Sequence, residues 1–241
     1  MQPAPSVQDE PLKNIAVHVR EMAQRAPFQR AVVTPSGRDK AGRVAYAHET
    51  FLQLERRSNR IASGLAKAGV TPGTRVVLMV PPSLDFFALV FGLFKSGATI
   101  VMIDPGIGRA ALLSCLKEVG SQAFVGVPKA HIARLIFPAS FREVKTLVTV
   151  GRKLFWGGHT LEEIEASGDD DFDIPTPKAT ALAAILCTSG STGVPKGAEY
   201  THGVFGAQVA MLRAIYGMEP GEIDLCTFPL FALFAPALGL T

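Results

Sequence analysis

The segment RVVLMVPPSLDFFALVFGLFKSGATIVMIDP, residues 75–105, is the most informative about the fold of this 241-residue chain. It opens with a short apolar run rich in β-branched residues, continues into a longer apolar run after Ser83, and closes with a second β-branched run. Short apolar runs of this kind predict buried strands, and a serine just before a longer run predicts a capped helix. The sequence therefore predicts a strand, a helix and a second strand, which form one βαβ unit.

The same alternation continues from Arg43 onward and predicts an α/β fold with βα units around a mainly parallel sheet. Apolar residues recur at helical spacing over residues 49–70, and Gly69 is the predicted C-terminal cap of that helix. Further helices are predicted at residues 110–119, 159–167 and 203–216, the last capped by Thr201, and further strands at 146–150, 181–187 and 223–228.

An acidic stretch with two prolines, GDDDFDIPTP at residues 168–177, interrupts the pattern and is predicted to be a loop without a metal site. We expect residues 1–168 to form a first α/β subdomain, 169–180 a linker, and 181–241 the start of a second subdomain. The chain ends inside an apolar segment, which normally packs against later residues, so we expect an incomplete domain from a longer protein.

Composition excludes several classes of protein. The 24 Lys and Arg against 21 Asp and Glu give a net charge of only +3, too weak a field to predict a nucleic-acid partner. Cys115, Cys187 and Cys226 are far apart and odd in number, which fits neither a disulfide framework nor a zinc site. No export signal or apolar run of the roughly 20 residues needed to span a membrane occurs. We expect a soluble, cytoplasmic protein.

One segment, CTSGSTGVPKGAEYTHG at residues 187–203, concentrates glycines, hydroxyl groups and a single lysine. Its glycines allow backbone N–H groups to converge on an anion, and Lys196 adds a mobile positive charge. Because the segment follows a predicted strand, it lies at the edge of the sheet where α/β folds bind ligands. These features predict a polyphosphate site and disfavour a flexible linker, which has no need of Pro195 and Lys196.

Two other nucleotide-binding patterns are weaker. The usual phosphate loop, G-x-x-x-x-G-K-[ST], is not matched, because Gly197 follows Lys196. Gly106 and Gly108 begin a G-x-G-x-x-A sequence, which raises the alternative of a dinucleotide-dependent oxidoreductase. That pattern also expects an acidic residue about 20 positions later, and none is present. A plain turn between strand and helix is favoured there.

The segment TSGSTGVPKG resembles the phosphate-binding signature of the adenylate-forming superfamily, which includes acyl-CoA synthetases, luciferases and peptide-synthetase adenylation domains. Residues 45–81 and 94–105 resemble the first two core motifs of the same superfamily. The resemblance implies that ATP and Mg²⁺ are used and that a carboxylate is converted to an acyl-adenylate with release of pyrophosphate. By resemblance, the nucleotide-binding residues are Thr188, Ser189, Gly190, Ser191, Thr192, Gly193, Lys196 and Gly197, and Lys196 is also the catalytic residue.

Within the superfamily, residues 81–97, 104–116 and 228–241 are most similar to the bacterial olefin-pathway β-lactone synthetases. That similarity implies a long-chain 2-alkyl-3-hydroxy acid as substrate, a β-lactone as product, and other lipid-pathway enzymes as partners. Phe231 and Ala232 would line the acyl pocket, where many relatives have a histidine in place of Ala232. A fatty acyl-CoA synthetase and a non-catalytic nucleotide-binding fragment remain alternatives. Later family motifs are missing, so the chain alone is expected to be inactive.

Overall fold

The computed structural model describes residues 14–188, 196–226 and 233–241. In these residues the α-helices are α1 (Ala16–Arg25), α2 (Phe51–Lys67), α3 (Leu84–Lys95), α4 (Arg109–Val119), α5 (Pro128–Ile136), α6 (Leu161–Ser167), α7 (His202–Tyr216) and α8 (Phe234–Leu238). The strands are β1 (Arg30–Arg38), β2 (Val44–Thr50), β3 (Arg75–Met79), β4 (Thr99–Ile103), β5 (Ala123–Gly126), β6 (Thr146–Thr149), β7 (His159–Thr160), β8 (Leu182–Thr188) and β9 (Lys196–Thr201).

Seven of the described strands form one sheet, in the order β7-β6-β5-β3-β4-β8-β9. Every neighbouring pair in it is parallel except β8 and β9, which are antiparallel. Strands β1 and β2 form a separate antiparallel hairpin. The α/β fold around a mainly parallel sheet, expected from the sequence, is confirmed.

The central βαβ unit consists of β3, α3 and β4, as predicted. The Ser83 hydroxyl caps α3 by accepting a hydrogen bond from the Phe86 N–H at 3.2 Å. Phe91 and Phe94 on this helix have no exposed surface, because α3 is covered by α2 and α1 as well as by the sheet. Among the described residues, no helix has the length and apolar character needed to cross a membrane.

Successive residues of the central strands pack against opposite faces of the sheet, as the two-residue period of a strand requires. Val76 lies in the larger core, which α1, α2, α3 and α7 cover. Val77, the next residue, lies in a smaller core beneath α4, together with Val101 and Ile185. Both faces of the sheet are therefore buried, which explains the continuous apolar runs of β3 and β4.

Helix α2 packs closely against two other helices because glycines stand at the contact points. A Cβ atom added to Gly92 of α3 would lie 2.5 Å from Cγ2 of Ile61 in α2. A Cβ atom added to Gly64 of α2 would lie 2.1 Å from the backbone oxygen of Ile164 in α6. No side chain fits at such distances, so α2 is held directly between α3 and α6.

Residues 168–177 contain neither helix nor strand, as predicted, but they are fastened along α2. The Asp169 carboxylate accepts hydrogen bonds from Ser63 Oγ at 2.8 Å and Lys67 Nζ at 2.9 Å. Asp170 pairs with Arg60 at 2.9 Å. Beyond this loop, β8 enters the same sheet next to β4. The division into two subdomains with a linker at residues 169–180 stays a prediction.

The predicted strand at residues 223–228 is wrong for its described part, residues 223–226, which form no strand. The backbone there pairs instead with the residue at the end of the chain: the Asp224 N–H donates to the Thr241 oxygen, and the Thr241 N–H donates to the Glu222 oxygen. Leu225 is 89% exposed, so its apolar side chain does not join the core. Strand propensity without a sheet edge to pair with does not make a strand.

A charged lysine lies inside the helical layer. Lys95 has no exposed side-chain surface, and its Nζ donates to the Glu55 carboxylate and to Asn59 Oδ1, the latter at 2.7 Å. Glu55 also accepts a hydrogen bond from Arg20 Nε at 2.9 Å. Burial lowers the pKa of Lys95 to about 8, and the Glu55 carboxylate opposes that shift. The buried ammonium therefore stays charged near neutral pH because its carboxylate partner is close.

We predict that Lys95→Met lowers the free energy of unfolding by about 3–5 kcal/mol, because it leaves the Glu55 carboxylate buried with one cationic partner fewer. Lys67→Met is the matched control, since the Lys67–Asp169 pair is exposed and should contribute less than about 1 kcal/mol. Urea unfolding followed by circular dichroism measures both. Equal losses in the two variants would contradict a structural role for the buried pair.

Candidate active site

The ends of the glycine-rich segment are fixed by pairing between β8 and β9. In this antiparallel ladder Thr188 is opposite Lys196, and Cys187 is opposite Gly197. Opposed residues in such a ladder have Cα atoms about 5 Å apart, so the segment leaves the sheet and returns to it at one point. Strand β9 is not predicted from the sequence, in which residues 187–203 lead from a strand directly to a helix.

Only part of the predicted nucleotide site can be located. Ser189, Gly190, Ser191, Thr192 and Gly193 lie outside the described residues, as do the predicted pocket residues Phe231 and Ala232. The backbones of Thr188 and Lys196 occupy the two strand ends.

Gly197 has a packing role in addition to its predicted binding role. A Cβ atom added there would lie 2.9 Å from Cγ2 of Ile185, so a side chain would press into the smaller core.

Strand β8 ends at the same edge of the sheet as its parallel neighbour β4, where Cys187 pairs with Ile103. The turn after β4 lies beside this point, because the Asp104 N–H donates to the Cys187 oxygen at 3.1 Å. In that turn the Asp104 carboxylate accepts the Gly106 N–H at 2.8 Å. An N–H group already bonded to a carboxylate is poorly suited to a pyrophosphate. The G-x-G-x-x-A sequence is therefore a turn between a strand and a helix.

A disulfide joins Cys115 of α4 to Cys187 of β8, with the two Cα atoms 6.5 Å apart. The expectation from cysteine number and spacing, that there is no disulfide, is therefore wrong. The two cysteines are 72 residues apart in the chain, but α4 lies over the face of β8 that carries Cys187. Both side chains are buried beside Val101 and Ile185. The bond therefore ties α4 to the residue just before Thr188.

Two buried histidines have structural surroundings. His131 has no exposed surface, and its Nε2 lies 3.1 Å from the Val148 oxygen and 3.2 Å from Thr149 Oγ1. His202 begins α7 directly after Thr201, whose hydroxyl caps that helix as predicted. The His202 ring packs edge-on against Phe94. Burial lowers the pKa of both histidines, so both are neutral near pH 7.

Residues 14–188, 196–226 and 233–241 contain no group of three or more His, Cys, Asp or Glu side chains placed to hold a metal ion.

Comparison with known proteins places this chain in a family. Residues 19–239 match the sequence model of a family described as AMP-binding enzymes. The chain belongs to that family. It is 48% identical over 235 residues to the olefin beta-lactone synthetase of Stenotrophomonas maltophilia (strain K279a), and 46% identical over 232 residues to that of Xanthomonas campestris pv. campestris. The resemblance to the adenylate-forming superfamily and to its β-lactone synthetases is confirmed.

Each match covers 95% of this chain and 42% of the relative, so the chain spans less than half the length of these two relatives. The fold is also that of a long-chain-fatty-acid-CoA ligase from Archaeoglobus fulgidus, with a TM-score of 0.79 and 21% identity. That likeness covers 95% of this chain and 46% of the ligase. At this identity it supports the fold of the family and says nothing of the substrate.

We predict that reducing the Cys115–Cys187 disulfide lowers the free energy of unfolding by about 2–4 kcal/mol, because the bond closes a long loop in the unfolded chain. Cys115→Ser should give a loss of similar size without reductant, whereas Cys226→Ser serves as the control with little effect. Thermal unfolding and thiol titration of the denatured, unreduced protein measure these effects. Three titratable thiols, or identical stability with and without reductant, would contradict the bond.

Proposed function

We propose that this protein, when extended to the full length of its relatives, activates a carboxylic acid with ATP. One carboxylate oxygen attacks the α-phosphorus, the bond between that phosphorus and the bridging oxygen breaks, and pyrophosphate leaves. The products are an acyl-adenylate and pyrophosphate. The observation that carries this proposal is the pairing of Thr188 with Lys196, which holds both ends of the family's phosphate-binding segment at the ligand-binding edge of the sheet.

The chemistry needs positive charge and N–H donors aimed at the leaving pyrophosphate. Groups arranged before the reaction stabilise that developing charge without having to reorganise. We assign this role to Thr188, Ser189, Gly190, Ser191, Thr192, Gly193, Lys196 and Gly197. Mg²⁺ would share the charge of the phosphates when bound. The part assigned to this chain is limited to the segment itself.

We further propose that the acid is a long-chain 2-alkyl-3-hydroxy acid and that the final product is a β-lactone. The substrate's own β-hydroxyl would attack the acyl carbonyl, lose its proton, and displace AMP. Because the hydroxyl and the carbonyl belong to one molecule, ring closure can compete with an external nucleophile. Support comes from the 46–48% identity to two olefin beta-lactone synthetases.

On the acyl side, the proposed pocket residues are Phe231 and Ala232. Alanine in place of the histidine of many relatives leaves more apolar room for a branched substrate. A cytoplasmic location, contact with other lipid-pathway enzymes, and inactivity of the 241-residue chain by itself belong to this same proposal.

We predict that Lys196→Ala, in a protein carried to the length of the relatives, lowers carboxylate-dependent ATP–pyrophosphate exchange by about 30- to 1,000-fold. The reason is that one charge-assisted phosphate contact contributes about 2–4 kcal/mol in the transition state. Lys178→Ala is the control, since Lys178 is exposed and lies before β8. If Lys196→Ala catalysed ATP–pyrophosphate exchange at the unchanged rate, the proposed role of Lys196 would be contradicted.

The product distinguishes the proposed lactone synthetase from an acyl-CoA synthetase. We expect the same extended protein, given ATP and Mg²⁺, to release a β-lactone and AMP from a 2-alkyl-3-hydroxy acid without coenzyme A. A plain fatty acid lacks the β-hydroxyl and is the control substrate. Mass spectrometry identifies the products. Acyl-CoA from the plain acid, with no lactone from the hydroxy acid, would favour the synthetase instead.

A further inference from the structure

Positive charge is concentrated in one part of the chain. Between Glu118 and Glu162 there are six basic residues and one acidic residue, Glu143, so this stretch carries a net charge of +5. The whole chain carries +3, and the remaining residues therefore sum to −2. The basic residues are Lys129, Arg134, Arg142, Lys145, Arg152 and Lys153.

The same stretch exposes large apolar side chains. On α5, Ile132, Leu135 and Ile136 are exposed, and their spacing places them on one side of the helix. In the loop after β6, Leu154 and Phe155 are exposed, and Phe155 has 82% of its surface in solvent.

The start of α5 and the loop after β6 lie at one edge of the sheet. Helix α5 follows β5, the loop follows β6, and these two strands are parallel neighbours. The loop is anchored over α5, because the Trp156 ring stacks on the His131 ring with centroids 5.0 Å apart. Trp156 Nε1 also donates to Thr149 Oγ1 at 2.9 Å. Phe155, whose ring contacts Trp156 edge-on, therefore projects from a fixed base.

We propose that this apolar and basic face, formed by the exposed side of α5 and residues 152–155, docks onto the surface of an anionic lipid bilayer. Apolar side chains flanked by Lys and Arg are the chemistry that binds such a surface, since the former enter the headgroup region and the latter attract anionic headgroups. Lys129 lies on the same side of α5 as Ile132 and Ile136, and Arg152 is exposed in the loop beside Leu154.

Charge and apolar exposure together favour a bilayer over other partners. A nucleic acid would pair with the charges and stack a base on Phe155, but it offers no apolar partner for the exposed aliphatic side chains of Ile132, Leu135 and Ile136. The centres of protein interfaces are depleted in lysine, whereas Lys129 lies in line with the apolar residues of α5. A bilayer surface accepts both kinds of side chain at once.

The face also lies at the edge where β8 ends. Strands β6 and β8 are four steps apart in the sheet, or about 19 Å at the usual strand spacing. A lipid-bound protein would thus have the end of β8 on its membrane side. Lipid binding itself does not rest on the proposed function, because it requires neither ATP nor an acyl substrate.

The test is sedimentation of the purified protein with vesicles of phosphatidylcholine alone or with about 30% phosphatidylglycerol. We expect binding to the anionic vesicles, weakened at about 0.5 M salt, where charges are screened within about 4–4.5 Å. Trp156 is the only tryptophan of the chain and lies beside Phe155. Lipids brominated on their acyl chains should therefore quench its fluorescence, whereas contact with another protein should not.

Variants separate the apolar contribution to vesicle binding from the electrostatic contribution. Phe155→Ser should weaken vesicle binding about tenfold, and Arg152→Gln about fivefold, as expected for one basic residue near an anionic surface. Tyr46→Ser and Lys40→Gln, both at exposed positions of the β1–β2 hairpin region, are matched controls and should bind as the unchanged protein does. Thermal unfolding checks that Phe155→Ser still folds, and Arg152→Gln provides an exposed substitution that leaves the core intact.

Four results would overturn the proposal. The unchanged protein could remain in the supernatant with anionic vesicles, or bind them without quenching by brominated lipid. It could also sediment equally without vesicles, which would make the face a contact between copies of the chain. Equal binding by the folded Phe155 and Arg152 variants would likewise exclude this face.

Discussion

The ammonium group of Lys95 lies between α3 and α2 without contact with water, bonded to Glu55 and Asn59 of the neighbouring helix. Moving one helix relative to the other would separate buried opposite charges, which is costly in a medium of low polarity. The position of α2 along α3 is therefore fixed by charge as well as by the close contact at Gly92. Helix α6 and the acidic loop rest on α2 in turn, so the layer above the sheet takes its arrangement from this one pair of helices.

Secondary structure is predicted most accurately from the sequence where the local pattern of residues agrees with the environment that those residues have in the folded protein. The β3–α3–β4 unit is buried on all sides, so each element is a continuous apolar run with a clear boundary such as Ser83. Strand β9 could not be predicted, because KGAEYT has a charged, glycine-containing pattern and becomes a strand through pairing with β8. Residues 223–226 show the opposite case, in which strand-forming residues are left without a sheet edge. Pairing partners distant in the chain decided both outcomes.

The candidate site was predictable as a motif and only partly as a structure. Glycines, hydroxyls and Lys196 indicate phosphate binding by their chemistry, and the strand before them indicates the edge of the sheet. The Cys115–Cys187 bond was not predictable, because cysteine spacing carries no information about which helix covers which strand. The packing role of Gly197 was likewise hidden, since it depends on Ile185 in the adjacent strand.

Strand β9 ends at Thr201 and α7 begins at His202, so no residue lies between the strand and the helix. One residue inserted into β9 would reverse which of its side chains face the core, because strand side chains alternate. If the extra residue were added to the helix instead, the rest of α7 would be rotated by about 100° about its axis. From Lys196 to Tyr200, β9 pairs residue by residue with Thr188 to Ala184 of β8. Evolutionary changes of length are consequently excluded from β9 and from its junction with α7.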